Sequence, residues 1–349
     1  MTRGGASPAI RVLLVDDSEA VRAGIGRVLE ASCGATLVGV AADGEQALRE
    51  AQHLRPDLIL LDLQMPRMDG FTFLRLLMAR QPTPVVVISA QSRRTDVFKA
   101  LELGALDFVP KPEGDAPIEA VRDALVEKCQ LVRALRIENL GPRGPARAAG
   151  DAGGEPAGVV AIAASTGGPA AIQRLLASLS GELPLAFLVA QHMPERFTAA
   201  FAERLARTTP FVASEAADGD VVAAGRVLVA PGGRHLEARR GPDGVLRAAV
   251  LLPAAVPGAK HCPSGDVLFA SVARAAGSRA CALVLTGMGQ DGCAGVRAIK
   301  SAGGLTLAES ADTAVVYGMP QAAAESGSVD EVLALRALAD RIRRFGGGH

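Results

Sequence analysis

Short apolar runs recur along the chain, and most of them stop at a charged or nucleophilic side chain. The stretch IRVLLVDDSEAVRAGIGRVLE from Ile10 reads as a buried strand that ends at Asp16 and Asp17 and passes through Ser18 into a helix. Leu58 to Leu61 ends at Asp62 and leads into LQMPRMDG, Val85 to Ile88 ends at Ser89, and Leu106 to Val109 ends at Lys111 and Pro112. Farther on, Gly158 to Ala164 stops at Ser165, LAFLVAQHMPERF stops at His192 and turns at Pro194, and ACALVLTGMGQDG runs from Ala280 to Leu285 into a glycine-rich turn carrying Asp291. Helical stripes intervene, such as Pro169, Ile172, Leu175, Leu176 and Leu179, or Phe197, Phe201 and Leu205. This alternation predicts parallel βαβ units whose right-handed crossovers gather the strand ends on one edge of a sheet. RVLVAPGG and the GPDG turn at Gly241 to Gly244 predict a strand and then a β-hairpin, an antiparallel excursion on a mainly parallel, doubly wound sheet.

The pattern is interrupted once. A helix is expected from Ile118 through Val121, Leu125, Val132 and Leu135, after which NLGPRGPARAAGDAGGEP has no periodicity and reads as a flexible linker. At 349 residues the chain is long enough for two domains at a prior of ~150 residues each. The expected division is 8–138, a linker over 139–156, and 157–345. Lys+Arg and Asp+Glu both number 37, so the net charge of +0 gives no electrostatic argument for nucleic acid or an anionic membrane. The five cysteines show no CxxC pairing, and no apolar run approaches the ~18 residues of a membrane span. A cytoplasmic protein without membrane insertion is expected.

In the first half, Asp16, Asp17 and Asp62 are expected to converge with Ser89 and Lys111. Carboxylates so close repel one another, and a hard divalent cation with oxygen ligands relieves the repulsion, which points to an Mg²⁺ site with a lysine beside it. In the second half the strand ends supply serine, histidine and aspartate, the parts of a nucleophile, its general base and the group that orients the base. The chain order Ser165, His192, Asp291 and the lack of a GxSxG elbow separate it from the familiar hydrolase folds.

Other readings stand beside this one. Ser165 or Thr166 could cap the helix that follows, and Asp291 could cap the helix from Gly292 to Ile299. Gly287, Gly289 and Gly292 spell GxGxxG, a nucleotide-binding pattern, although Asp291 would set a carboxylate inside the phosphate turn. Glycines there also let backbone amides approach an oxyanion. The dipeptide His261-Cys262 suggests a cysteine nucleophile, but neighbours on an extended segment face opposite ways. His235 either lines the cleft or is a solvated hairpin residue, the second reading being favoured.

Two resemblances rest on these residues. From about Ile10 to Lys128 the chain resembles the receiver domain of two-component response regulators. The resemblance implies a flavodoxin-like five-stranded parallel sheet. It implies that Asp62 accepts a phosphoryl group, with Asp17, Asp62 and the Gln64 carbonyl on Mg²⁺ and Asp16 assisting through water. Lys111 and Ser89 would contact the phosphoryl oxygens, and Phe108 would stand at the switching aromatic position without a hydroxyl to donate. From about Gly158 to Leu335, the segments AIAASTGGP, AQHMPERFTAAFAERL, HCPSGDVLF, LTGMGQDG and YGMPQAA resemble the catalytic domain of the chemotaxis CheB methylesterase family. That resemblance implies hydrolysis of glutamate methyl esters, and deamidation of particular glutamines, on methyl-accepting chemoreceptors, with a chemotaxis histidine kinase as phosphodonor. It makes Ser165 the nucleophile, His192 the base and Asp291 the orienting acid, with the Met288 N–H in the oxyanion hole and Thr166 in support. It also implies that an unphosphorylated receiver restrains the esterase, and that ester hydrolysis needs no cofactor. A departure is Ala163, where many relatives have glycine. The rival from another class is a receiver joined to a non-enzymatic binding module.

Overall fold

The structure is a computed structural model that describes residues 9–32, 34–89, 94–112, 117–132, 153–180 and 182–347. Its chain divides into two compact units, Met1–Arg143 and Gly144–His349. Most of the expected linker, up to residue 152, lies outside the described residues, as do Leu135 and Cys33.

The first unit alternates β1 (Ile10–Val15), α1 (Glu19–Ser32), β2 (Ala35–Ala41), α2 (Gly44–Leu54), β3 (Leu58–Leu61), α3 (Gly70–Arg80), β4 (Val85–Ser89), α4 (Arg94–Glu102), β5 (Asp107–Pro110) and α5 (Arg122–Val132). Its five strands are all parallel in the order β2-β1-β3-β4-β5. β3 and β4 are apolar along their length because both faces are buried, as a parallel sheet with helices on each side requires. Asp43 caps α2 by accepting from the N–H of Glu45 and Gln46 at 2.8 and 2.9 Å. The expected helix from Ile118 opens as a 3₁₀ turn, Ile118–Val121, before α5 begins.

The second unit continues with β6 (Gly158–Ala164), α6 (Gly168–Ser178), β7 (Leu185–Gln191), α7 (Phe197–Thr208), β8 (Val212–Glu215), β9 (Arg226–Val229), β10 (His235–Arg240), β11 (Leu246–Leu251), α8 (Gly265–Ala276), β12 (Ala280–Val284), α9 (Cys293–Ser301), β13 (Leu305–Glu309), α10 (Met319–Glu325), β14 (Glu331–Leu333) and α11 (Leu335–Gly346). Seven strands form a parallel sheet in the order β14-β13-β12-β6-β7-β9-β8. The hairpin β10–β11 is present, but as a sheet of its own rather than an excursion on the large one. The outer side of β9 is taken by β8, and the apolar hairpin residues Leu236, Ala238, Leu246 and Ala248 instead join the core with Leu268, Phe269 and Val272 of α8. Phe197, Phe201 and Leu205 of α7 are fully buried, so they pack the core, at ~1.5–3 kcal/mol for each side chain.

Both sheets reverse direction at their first strand. β1 lies between β2 and β3, and β6 lies between β12 and β7. Crossovers leave such a strand toward opposite sides, which opens a crevice at its carboxyl end where ligands bind in doubly wound folds. Asp16 and Asp62 flank one crevice; Ser165 and the loop after β12 flank the other.

Candidate active site

Three carboxylates meet at the first crevice. One oxygen each of Asp16, Asp17 and Asp62 lies within 4.8 Å of the others. Lys111, delivered by β5, donates to Asp62 Oδ2 at 2.7 Å and pairs with Asp16 Oδ2 at 2.8 Å. Burial raises the Asp16 pKa against the opposing pull of Lys111, and Asp62 adds to the rise. For Lys111 burial lowers the pKa, but the two aspartates overcome it and the net direction is upward. A buried carboxylate pair sharing one ammonium, with a third carboxylate of Asp17 beside it, supplies the oxygen donors that a hard cation takes. The donor set therefore fits Mg²⁺. Ser89 ends β4 and is buried, its carbonyl accepting from the Lys111 N–H at 2.8 Å, and Phe108 is buried on β5. Gln64 donates its N–H to Asp62 Oδ1 at 3.3 Å, which folds the loop after β3 back on the aspartate.

At the second crevice Ser165 follows β6 directly and is 6 % exposed. Its N–H donates to the Thr286 carbonyl at 3.0 Å, and its carbonyl accepts from Gly168 N–H and from Gln191 Nε2. The N-cap position of α6 is Gly167, in the left-handed region at φ 77°, so the turn carries Ser165 ahead of the helix and the capping reading is not realised. His192 follows β7, and its Nε2 lies 2.7 Å from Asp291 Oδ2. With Nε2 on the carboxylate, Nδ1 is the ring nitrogen left to take a proton, the reverse of the serine-protease arrangement. Among the described residues the Ser165 hydroxyl makes no hydrogen bond with His192. Such contacts are commonly long in unliganded sites and close when substrate arrives.

Asp291 does not cap α9, whose N-cap is Gly292. It sits instead at the N-terminus of α8. Ser264 Oγ donates to its Oδ1 at 2.8 Å, Gly265 N–H to Oδ2 at 2.6 Å and Asp266 N–H to Oδ1 at 3.1 Å. Burial works to raise the pKa, but His192 and the α8 amides overcome it and hold the carboxyl at about 2. Its oxygens are fully engaged with these donors, so the GxGxxG turn presents a committed carboxylate where a nucleotide phosphate would need open amides.

The loop after β12 approaches Ser165 from the other side. Gly287 N–H donates to the Val316 carbonyl at 3.1 Å, so it is not free for an oxyanion. Met288 N–H has no acceptor among the described residues, and its side chain is 37 % exposed. A Cβ at Gly287 would stand 2.7 Å from Ser165 Cβ and 2.5 Å from Met319 Sδ. Gly287→Ala is accordingly expected to keep its fold by circular dichroism while losing on the order of 10²-fold in kcat, the cost of displacing a reacting group by about 1 Å.

His261 belongs to the site, though not through Cys262. Its ring stacks on that of His192 with centroids 4.4 Å apart and planes 13° from parallel. Cys262 is half-buried and burial pushes its thiol pKa up, the wrong direction for a nucleophile. His235 is buried rather than solvated, at 1 % exposure, and burial lowers its pKa. A cavity of about 690 Å³ opens beside His261 and Asp291, with Lys260, Asp266 and Arg297 on its walls.

The chain is similar to known proteins along both of its units. Residues 160–342 match the family model described as CheB methylesterase, and residues 12–122 match that of the response regulator receiver domain. The chain is 65% identical over 348 residues to protein-glutamate methylesterase/protein-glutamine glutaminase 6 of Anaeromyxobacter dehalogenans, covering 99% of this chain and 98% of the relative. The chain belongs to the CheB methylesterase family. The corresponding protein 1 of Myxococcus xanthus is 48% identical, over 96% of this chain and 98% of its own. Among solved structures, the CheB methylesterase catalytic domain of Thermotoga maritima is 33% identical with a TM-score of 0.51, covering 53% of this chain and 97% of that one.

Two further residues, Gln191 and Ser264, shape the site without having been singled out in the sequence, and His261 does so in a role other than the one its pairing with Cys262 suggested. Gln191 Nε2 bridges the carbonyls of Ser165 and His192 at 2.9 and 3.0 Å, tying the turn of Ser165 to that of His192. Ser264 and the stacked His261 hold Asp291 and His192. Gln191 carried no signal, being a polar residue at the end of an apolar run. Ser264 did carry one, since a serine before an amphipathic stretch marks an N-cap, but nothing in the order of residues said which carboxylate would meet it.

Proposed function

We propose that this chain is a phosphorylation-regulated hydrolase that demethylates glutamate methyl esters, and deamidates particular glutamines, on methyl-accepting chemoreceptors during chemotactic adaptation. The observation that carries the reading is the His192–Asp291 pair, 2.7 Å across, set beside Ser165 at the crevice of the large sheet. Ser165 Oγ attacks the γ-carboxyl carbon while His192 Nδ1 accepts its proton, and Asp291 stabilises the imidazolium. Negative charge moves to the former carbonyl oxygen, where the unpaired Met288 N–H receives it, with Thr166 supporting the turn. His192 returns the proton to the leaving oxygen and methanol departs. Water, deprotonated by the same base, then splits the acyl-serine and frees both the glutamate carboxylate and Ser165. A glutamine amide releases ammonia by the same sequence, with no cofactor.

Control resides in the receiver, which we place at 8–138, joined through 139–156 to a catalytic domain at 157–345. Asp62 is the phosphoryl acceptor and a chemotaxis histidine kinase the donor. Asp16, Asp17, Asp62 and the Gln64 carbonyl hold Mg²⁺, which when bound neutralises charge on the phosphoryl group. Lys111 pairs with the phosphoryl oxygens and Ser89 hydrogen-bonds to them. Phe108, lacking a hydroxyl, reports the change through packing alone. We place the chain in the cytoplasm with the kinase that supplies the phosphoryl group; among the described residues no helix is long and apolar enough to cross a membrane.

Methanol release from methylated receptor, measured with and without a small-molecule phosphodonor, tests both parts. The wild-type rate is expected to rise with phosphodonor, and Asp62→Asn is expected to incorporate no phosphate and show no rise. Equal stimulation of the variant would remove Asp62 from its role, and no methanol from either protein would favour a binding module.

A further inference from the structure

One fully buried carboxyl takes no part in the triad. Glu309 closes β13 at 0 % exposure, and its Oε2 accepts from the Thr286 N–H at 2.9 Å. Thr286 is the residue on which the nucleophile hangs. Its carbonyl accepts from Ser165 N–H at 3.0 Å, and its Oγ1 donates to the Thr166 carbonyl at 3.0 Å while accepting from Val316 N–H at 2.9 Å. The next peptide continues the clamp, since the Gly287 carbonyl accepts from Gly318 and Met319 N–H at 3.1 and 2.7 Å. Every backbone group of Thr286 and Gly287 is thereby fixed. The N–H that follows them, on Met288, is the one left open.

A carboxyl in this place needs a reason. An unpaired polar group in an apolar interior costs a few kcal/mol, and an ionised one costs more, so packing alone would favour leucine or methionine at the end of a buried strand. Burial raises the Glu309 pKa, with Thr286 N–H, Thr313 and Arg174 opposing it. Its Oε1 closes no hydrogen bond of good geometry. Its one hydrogen bond of good geometry falls on an amide two residues before the Met288 N–H and one hydrogen bond from Ser165, with Thr313 and Arg174 as its further polar neighbours.

We propose that Glu309 is a positioning residue that fixes the Thr286 peptide, and through it sets both the Ser165 backbone and the direction of the Met288 N–H. It touches no substrate, so its removal changes the rate of the chemical step and leaves substrate affinity alone. The proposal rests on the reading of Ser165 as nucleophile. The two fail separately: a Ser165→Ala variant with full activity would end that reading, whereas the results below bear on Glu309 alone.

Glutamine keeps an acceptor for Thr286 N–H at the same reach, and methionine keeps the volume without one. Methanol release from methylated receptor by Glu309→Gln is expected to stay within about threefold of wild type in kcat. Glu309→Met is expected to fall roughly 10- to 100-fold in kcat with KM unchanged, the scale of a small displacement of reacting groups. Reaction of Ser165 with a fluorophosphonate should slow in parallel. Where the methionine variant does not fold, Glu309→Asp decides, because its carboxyl is one methylene too short to reach Thr286 N–H: lower kcat at constant KM supports the proposal. A folded methionine or aspartate variant with wild-type kcat, a change confined to KM, or a glutamine variant as impaired as methionine would overturn it.

Discussion

Ser165→Ala is expected to lower methanol release from methylated receptor by about 10⁴- to 10⁶-fold, the range of triad knockouts in other serine hydrolases. The magnitude follows from what remains. Alanine leaves the His192–Asp291 pair and the Met288 N–H in place, so the variant can still bind an ester and stabilise an oxyanion, but it has no oxygen to form the acyl-enzyme. The fold should not suffer. Ser165 is held through its backbone, by Thr286, Gly168 and Gln191, and none of these bonds uses its hydroxyl. Urea unfolding of the variant should match wild type, and a loss of activity accompanied by a large loss of stability would show that the hydroxyl has a structural duty instead.

Asp291→Asn is expected to cost about 10⁴-fold in kcat, as replacement of a triad aspartate by its amide does elsewhere. The geometry gives a specific cause. Four donors converge on the carboxylate: His192 Nε2 and Gly265 N–H on Oδ2, Ser264 Oγ and Asp266 N–H on Oδ1. Asparagine must turn its NH₂ toward one of these pairs. Facing His192, it forces the wrong tautomer; facing Ser264 and Asp266, it sets donor against donor at the start of α8. The carboxyl is held at about 2, below the ~3.9 of an unfolded aspartate, so its contribution to stability is complete above that unfolded value and fades as pH falls toward 2. Wild type should therefore exceed the variant in urea midpoint at pH 7, with the gap closing between pH 4 and 2. A gap independent of pH would mean that the carboxylate's charge is not what α8 and His192 require.

The strands that carry chemistry were legible because each is buried on both faces. β1 after Arg11, β3, β4, β6, β7 and β12 are apolar runs, and their ends named Asp16, Asp62, Ser89, Ser165, His192 and the loop of Asp291. Among the edge strands β5 was read, as Leu106 to Val109, whereas β2, β8 and β14 were not. β2 is apolar but only partly buried along its middle, and β14 is three residues long. Long-range partners were also hidden. That Asp291 would meet α8, that His261 would lie on His192, and that Glu309 would reach Thr286 depend on how crossovers pack, which periodicity does not encode. His235 misled because a histidine after Pro-Gly-Gly looks solvated, whereas the hairpin folds its first residue inward.

The central claim is that the hydroxyl of Ser165, activated by His192, is the nucleophile. Treatment of the intact protein with a serine-directed fluorophosphonate, followed by peptide mapping and assay of methanol release, tests it most directly. A single adduct on Ser165 is expected, formed at the rate at which methanol release disappears and much more slowly in His192→Ala. An adduct elsewhere, or full methanol release from protein labelled at Ser165, would contradict it.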